Sequence, residues 1–569
     1  MKLTAAQTDR AIGTLVGAAA GDALGAGYEF GSAVIDGRPA MIGGGLGGFA
    51  PGEWTDDTAQ TYAIAEVAAT GADLRDEAAL DAIAGRFADW YASRPPDVGI
   101  LTRQVLGAAG RQPSAADVRD VARRVHESSG RSGGNGTLMR TAAVALAHLG
   151  DPVAIVEAAT AVAALTHHDP VGGEASALWC LAISHTVIEG ELPGMAALVE
   201  HLPASRREFW MSAVEKAESA EPATFSSNGY VVGAFQAAWS SIVHTPVPEA
   251  PPADGSFGCE HLVAGLETAI AIGHDTDTVA SIAGSLLGAR WGYSAIPWQW
   301  RRILHGWPGG TAKSLADLAV LAIRGGKPDS HGWPTIERLD YTSWSGHDSY
   351  AVHPHDPAVR LSGAAALDDL PSDVTAVVSL ARLGTKQVPE HVEHAEFRII
   401  DTDNADNPNL TYAIDDAARA VKTLRDEGHV VLLHCVAAQS RTPSVAARYG
   451  VLLGHTVEES IRDVVSALPA ANPRPDLIAA VRSLGDPPYQ IDLEALGDAV
   501  NRLTCPQCGS SETIVRVWGM PTPDLYEFAH SVDWMTIEGC VELLDAWDLG
   551  CETCGYRRLV AESYGIDVE

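Results

Sequence analysis

The sequence predicts a multidomain chain: an all-α domain first, then an α/β domain with a mainly parallel sheet, then a small module held by cysteine pairs. Three observations carry that reading. Alanine-rich segments with apolar residues three or four apart recur through residues 1–325, the pattern of amphipathic and buried helices. Beyond residue 330, short runs of Val, Ile and Leu flank a helical pattern, as in βαβ units. From 490 onward the sequence turns irregular and carries two Cys-x2-Cys pairs. At 569 residues the chain is too long for one core, and length alone divides it into about three or four domains.

In chain order, helices are expected over 59–69, 151–165, 174–188, 231–243, 261–272 and 278–291, with Gly, Pro and Asp turns between them. The run "TPVPEAPPADGS" (245–256) reads as a surface loop within that domain. In the next domain "DVTAVVSL" (373–380), "FRII" (397–400) and "HVVLLHC" (429–435) read as short buried strands. "YAIDDAARAVKTLRDEG" (412–428) reads as a helix between two of them. The domains are placed at 1–325, 340–487 and 490–569.

With 39 basic and 73 acidic residues the net charge is −34, which repels nucleic-acid phosphates; a local anion pocket made of backbone N–H groups stays open. The run "AIGTLVGAAA" (11–20) is not read as a signal core, because Asp9 precedes it and glycine and alanine replace leucine. No membrane span is expected, since no stretch nears the roughly 18 uninterrupted apolar residues required. Cysteines gathered into paired knuckles suit metal or catalysis in a reducing cytoplasm better than a disulfide framework.

Chemistry concentrates in three places. "TDDT" (55–58) stands directly before a helix. Its carboxylates suit a helix cap, by accepting orphan N–H groups, and equally suit hard-oxygen ligation of a divalent cation. "HDTDT" (274–278) repeats the arrangement before a second small-residue helix. If the two N-termini converge, four carboxylates meet, and like charges that close call for cations. All-oxygen ligands point to Mg²⁺ or Mn²⁺ rather than zinc. "GTLVGAAAGDALGAGYEF" (13–30) adds Asp22 and Glu29, "RSGGNGTLMR" (131–140) a glycine-rich turn, and "ALTHHDPVGGEASA" (164–177) His167 and His168.

In this order the motifs resemble the ADP-ribosylglycohydrolase family, all-α binuclear-metal enzymes that remove ADP-ribose from proteins. The resemblance covers residues 1–300. It implies that Thr55, Asp56, Asp57, Asp275, Asp277 and Thr278 hold two metals and that Glu29 lies on a flap by the scissile bond. It further implies that Ser132, Gly134, Asn135 and Gly136 contact ADP-ribose, with His167 near the diphosphate. His274 stands where the family usually has glycine, and Ala143 where it has proline. The expected reaction is attack of an activated water on the ribose anomeric carbon, with Asp57 or Glu29 handling the proton.

In "HVVLLHCVAAQSRTPS" (429–444) a strand is followed by Cys435, five residues, Arg441 and a helix opening at Pro443. A loop entering a helix N-terminus gathers N–H donors and lowers a thiol pKa, and arginine adds a phosphate clamp. This resembles the dual-specificity, protein-tyrosine-phosphatase-like signature over 340–487. The resemblance implies Cys435 as nucleophile, Arg441 as phosphate binder, Thr442 as stabiliser of the leaving thiolate and Asp403 as general acid, with Asp401 and Asp406 nearby. Ala438 replaces the usual glycine, which implies a strained loop. Finally "CPQCGS" (505–510) and "CETCGY" (551–556) resemble a zinc ribbon, with Cys505, Cys508, Cys551 and Cys554 on one structural zinc. Residues 501–569 hold 4 basic and 12 acidic side chains, favouring a protein-contact role over nucleic acid.

The expected function is a bifunctional hydrolase. It would remove ADP-ribose from a protein or nucleotide conjugate and phosphate from a second substrate. The alternative is a non-catalytic sensor of ADP-ribose or phosphate, with the ribbon docking a partner.

Overall fold

The computed structural model describes residues 2–130, 132–402 and 404–486, and short stretches between 507 and 559. They form two compact units, 1–486 and 487–569.

The first part of the larger unit is helical. The helices expected from periodicity are present as Asp56–Ala68, Pro152–Ala163, Pro170–Glu189, Val231–His244, His261–Ala271 and Thr276–Trp291. Helix α1 (Ala5–Gly25) opens on a capping box in which Thr4 and Gln7 exchange hydrogen bonds. Its partners here are α2 (Asp56–Ala68) and α3 (Thr276–Trp291). Glycines spaced four apart let α1 lie directly on α3. A Cβ on Gly17 would stand 2.4 Å from the Gly284 carbonyl oxygen, and one on Gly21 2.1 Å from that of Ala280. In return, one on Gly288 would stand 1.9 Å from the Gly13 oxygen. The same line continues to Gly25, whose missing side chain makes room for the Asp277 backbone at 2.6 Å. Helix Pro170–Glu189 is long and apolar enough to cross a membrane, yet 83% of its apolar window is buried inside the protein. Its one acidic residue in mid-helix, Glu174, is paired with Arg206 and accepts from the Trp210 indole.

Residues 350–434 carry a five-stranded sheet: β1 (Tyr350–His353), β2 (Asp356–Ser362), β3 (Ala376–Ser379), β4 (Glu393–Glu396) and β5 (Val431–His434). The spatial order is β1-β2-β5-β3-β4. Three of its four pairings are parallel and only β1–β2 is antiparallel. Helices α4 (Leu410–Asp426) and α5 (Arg441–Leu452) follow β4 and β5. Side chains alternate across the sheet as the two-residue period demands. Val378 and Leu433 join the main core, while Val377 and Leu432 pack with Leu367, Val374, Leu383 and Val392 on the other face.

One expectation fails here. "FRII" (397–400) is not a strand; the strand lies just before it, at Glu393–Glu396. Phe397 adds one more backbone bond, to Ser379, and the chain then leaves the sheet. Phe397 and Ile399 are nevertheless buried. Arg301 of the helical part covers the Phe397 ring, and Arg398 reaches back to Asp9 at 3.2 Å and to the Ala5 carbonyl. Phe397 is covered by the helical part rather than paired within a strand, so its burial mimics a strand in the sequence.

The helical and sheet parts therefore share one hydrophobic core, running from Ala11 to Leu484. Buried Arg301 crosses between them, donating to the Glu396 carbonyl at 2.8 Å and to Asp416 at 3.2 Å.

Among the described residues of the smaller unit, four strands pair in the order Arg557–Leu559, Trp547–Cys551, Thr513–Val517, Met535–Ile537. The central pair is antiparallel and sets Cys551 opposite Thr513.

Candidate functional site

Capping and ligation competed as explanations of Asp56 and Asp57. The N-terminus of α2 is capped by neither of them, and Thr55 makes no side-chain capping bond. Asp22, from α1, does that work. It accepts from the Thr55 amide at 3.0 Å, the Thr58 amide at 2.9 Å and the Thr58 hydroxyl at 2.6 Å. Burial still raises the Asp22 pKa to about 6 against those bonds. Asp56 and Asp57 are thus released from the helix end. Asp275, at the start of α3, is likewise not used as a cap.

The released carboxylates converge. Oxygens of Glu29, Asp275 and Asp277 lie within 4.8 Å of one another. The Thr55 hydroxyl sits 3.4 Å from both Asp57 and Asp277, and the Thr278 hydroxyl donates to Asp57 at 3.2 Å. Asp57 Oδ1 is buried without a hydrogen-bond partner among the described residues. Burial first, then neighbouring carboxylates, push the Glu29 and Asp56 pKa values up to about 8. The same causes hold Asp57 and Asp277 well above the ordinary carboxylate range. This donor set fits hard divalent cations: it is all oxygen, buried, and holds more negative charge than it can keep ionised alone.

Glu29 reaches the cluster on a strained turn. Phe30 (φ 47°) and His274 (φ 62°) both occupy the left-handed region, and the Phe30 amide donates to the His274 carbonyl at 2.6 Å. His274 therefore adopts a conformation that favours glycine.

The glycine turn lies against the same cluster. Asn135 Nδ2 donates to Asp275 at 2.7 Å and to the Asn228 carbonyl at 3.0 Å. Ser132 turns inward, its hydroxyl 2.6 Å from His126 Nδ1 and accepting from the Asp169 amide. Gly134 pairs with Tyr230, a half-exposed ring beside the turn. His167 is buried with its ring edge against Gly134 and Gly136. Burial and the Arg140 charge lower its pKa to about 3.

The sequence reading assigns no role to three contributors. Asn228 fixes the "HDTDT" turn by accepting from the Asp275 amide and donating to the Gly273 carbonyl. Its surroundings, "SSNGY" (226–230), read only as a turn. Asp97 lends its charge to raise Glu29 and Asp56, from a loop without any motif. Arg140 is fully buried and reaches Gln60 at 2.6 Å.

Residues 3–329 match the family model described as ADP-ribosylglycohydrolase. The chain belongs to the ADP-ribosylglycohydrolase family. This glycohydrolase is 31% identical over 311 residues to the ADP-ribosyl-[dinitrogen reductase] glycohydrolase of Rhodospirillum rubrum, covering 51% of this chain and 89% of that one. It is 27% identical over 299 residues to the ADP-ribosylarginine hydrolase Tri1 of Serratia proteamaculans, covering 51% and 74%. The crystal structure of human DUSP28 matches with a TM-score of 0.22 at 21% identity, covering 26% of this chain and 95% of that one.

The glycohydrolase carries a second constellation on its sheet. Cys435 follows β5 and is buried, its amide donating to the Ser362 carbonyl. Among the described residues, none of the amides of 436–440 donates to a protein acceptor. Ala438 lies at φ 53°. Arg441 Nη1 donates to the carbonyls of Leu380 (2.7 Å) and Ile399 (3.1 Å), and its Nε stands 3.6 Å from Asp401. Thr442 is buried, with its hydroxyl 3.5 Å from the Ser362 carbonyl. Asp403 lies outside the described residues, and Asp406 accepts from Thr402.

Of the four knuckle cysteines, Cys508 and Cys554 are exposed, and the Cys505 position and the Cys551 side chain lie outside the described residues. The two knuckle turns meet through the Thr553 hydroxyl, which donates to that of Ser510 at 2.8 Å.

Proposed function

We propose that the chain removes ADP-ribose from arginine side chains of a protein in a divalent-metal-dependent hydrolysis. The observation that carries this is the convergence of Glu29, Asp275 and Asp277 at the ends of two helices, with Asp57 Oδ1 left without a partner among the described residues. Thr55, Asp56, Asp57, Asp275, Asp277 and Thr278 would hold two Mg²⁺ or Mn²⁺ ions. Bound there, the cations supply the charge that lets every carboxylate ionise and a frame that orients the ribose hydroxyls. The chain's own groups do the rest. Asn135 keeps Asp275 aimed inward, and Gly134 and Gly136 let backbone N–H groups approach a diphosphate closely. Ser132 acts through the loop, which it ties to His126 and Asp169. Glu29 or Asp57 takes the proton of the attacking water. The acidic surroundings, Asp97 included, suit a cationic guanidinium, in keeping with the name of the Serratia relative.

The test is release of ADP-ribose from arginine-linked and serine-linked peptides with Mg²⁺, Mn²⁺ or EDTA. Metal-supported release from the arginine peptide, abolished by EDTA, is expected. Release from the serine peptide alone overturns the linkage. Binding of ADP-ribose with release from neither peptide makes the chain a sensor.

We infer a second activity at Cys435, a cysteine-dependent phosphatase. The amides of 436–440, which among the described residues have no protein acceptor, form a nest for a phosphate group. Cys435 attacks phosphorus, the leaving oxygen takes a proton from Asp403 or Asp401, and water later hydrolyses the phosphocysteine. The phosphorylated substrate would be bound by the loop and Arg441, and Thr442 would steady the departing thiolate. Ala438→Gly tests the loop. Relief of about 1–2 kcal/mol of left-handed strain against about 0.5–1 kcal/mol of extra glycine entropy predicts a slightly more stable protein with phosphatase turnover kept or raised. Cys435→Ser should abolish p-nitrophenyl phosphate hydrolysis; residual turnover there rules the site out.

A structural zinc on Cys505, Cys508, Cys551 and Cys554 is the reading best supported for the smaller unit. The antiparallel pair and the Thr553–Ser510 bond draw both knuckles together. A cytoplasmic setting would keep those thiols reduced.

A further inference from the structure

The hydrogen bonds around His167 favour one of its two tautomers. Its Nδ1 stands 2.8 Å from the Thr166 hydroxyl oxygen, and the same oxygen receives a hydrogen bond from Arg140 Nη2 at 2.6 Å. A guanidinium has donors only. Thr166 Oγ1 is therefore an acceptor toward Arg140, and its own hydrogen is left for His167. Among the described residues the hydroxyl has no other acceptor, so a hydrogen on Nδ1, donated to the remaining lone pair of Oγ1, would leave the buried Thr166 O–H without an acceptor. Nδ1 is thus bare and Nε2 carries the proton.

That Nε2–H makes no hydrogen bond to any described residue, although His167 is only 4% exposed. It faces the glycine turn: a Cβ on Gly134 would stand 3.2 Å from Nε2, and one on Gly136 3.5 Å. An unpaired donor at the floor of a glycine turn is poised for an anionic oxygen. Arg140 serves the other side as well. Its Nη1 donates to Gln60 Oε1 at 2.6 Å, which fixes the amide so that Gln60 Nε2 donates to Asp56 Oδ2 at 3.3 Å.

We propose that Arg140 and Thr166 are positioning residues that lock His167 as its Nε2–H tautomer, presenting one donor to a diphosphate oxygen of ADP-ribose beside Gly134 and Gly136. Through Gln60 the same arginine turns Asp56, so one buried cation aligns both the diphosphate side and the carboxylate side of the pocket. The ligand named here rests on the glycohydrolase reading; the tautomer does not.

The experiment uses the full chain labelled with ¹⁵N-histidine, with His167→Gln identifying the resonance, and calorimetric titration with ADP-ribose in Mg²⁺. The wild type should show Nε2 protonated and Nδ1 bare. Thr166→Val should lose the single tautomer and weaken ADP-ribose binding about tenfold, the scale of one hydrogen bond to a charged group. Thr166→Ser should restore both, and Mn²⁺ binding should be the same in all three proteins. A proton on Nδ1 of the wild type overturns the lock, as does a Thr166→Val protein that binds ADP-ribose within twofold of wild type. A wild type with the stated tautomer that gives no heat with ADP-ribose overturns the ligand, and the glycohydrolase reading with it.

Discussion

The Asp56→Asn/Asp277→Asn double variant is expected to lose ADP-ribose hydrolysis by roughly three orders of magnitude, the scale of removing preorganised electrostatic partners. In EDTA it should nevertheless melt at a higher temperature than the wild type. Both effects come from one cause. The wild-type cluster confines Glu29, Asp56, Asp57, Asp275 and Asp277 in a buried space where their charged forms repel. Asparagine keeps most of the bonds these positions make: its carbonyl oxygen can still accept from Gln60 and the Gly99 amide at 56 and from the Thr278 amide at 277. The 3.4 Å contact with Thr55 at 277 reverses to an amide donor. Two of the repelling charges go. The pH dependence has a definite sign. A carboxylate whose folded pKa is raised to about 8, as for Glu29 and Asp56, binds more protons folded than unfolded between the ordinary carboxylate pKa and about 8. Metal-free wild type therefore loses stability as pH rises through that window. Calorimetry in EDTA between pH 5 and 8 should show the decline, shallower in the double variant and removed by Mn²⁺. A double variant less stable than wild type in EDTA would mean that these carboxylates are structural and the site is no cation centre.

Gly17→Ala and Gly288→Ala should each cause a large loss of stability, at or above the roughly 1–3 kcal/mol usual for overpacking. A Cβ at either position would lie 2.4 or 1.9 Å from a backbone oxygen of the facing helix. Backbone cannot rotate away as a flexible side chain can, so α1 and α3 must separate. Asp277 sits at the start of α3, and α1 leads into the turn carrying Glu29, so activity should fall with stability. Gly85→Ala is the control. It lies in helix Glu77–Ala92 with nothing within 4 Å of its would-be Cβ. There alanine should stabilise by about 0.4–1 kcal/mol. Thermal denaturation of the three variants decides the matter; equal effects at all three positions would show that the close helix approach is unimportant.

Much of this was legible beforehand because it is local. Repeated apolar spacing set the helices, and two acidic–threonine motifs before small-residue helices pointed to one convergent site. What stayed hidden depends on distant partners. Nothing local says that Asp22 would take over the cap of α2, yet that frees Asp56 and Asp57. Asn228 and Asp97 carry no motif, and their contribution exists only once the "HDTDT" turn and the 93–99 loop fold against the cluster. "FRII" misled for the converse reason: burial by another part of the chain leaves the same apolar run that a sheet would. Ala438 and His274, marked as departures from glycine, prove to be where the backbone enters the left-handed region.

The cross-braces between the helical and sheet parts have a historical consequence. Arg301 finds its acceptors, the Glu396 carbonyl and Asp416, across the boundary, and Arg398 finds Asp9 in the opposite direction. A gene split near residue 330 would strand a buried cation and a buried carboxylate on each fragment, Arg301 and Asp9 on one, Arg398 and Asp416 on the other. Breaking a buried pair by removing one partner costs about 3–5 kcal/mol. Joining two ancestral genes is easy to reverse while the products merely share a linker. Once each has become the other's counter-ion, the union works as a ratchet, and later change is confined to inserting, trimming or retuning an inseparable pair.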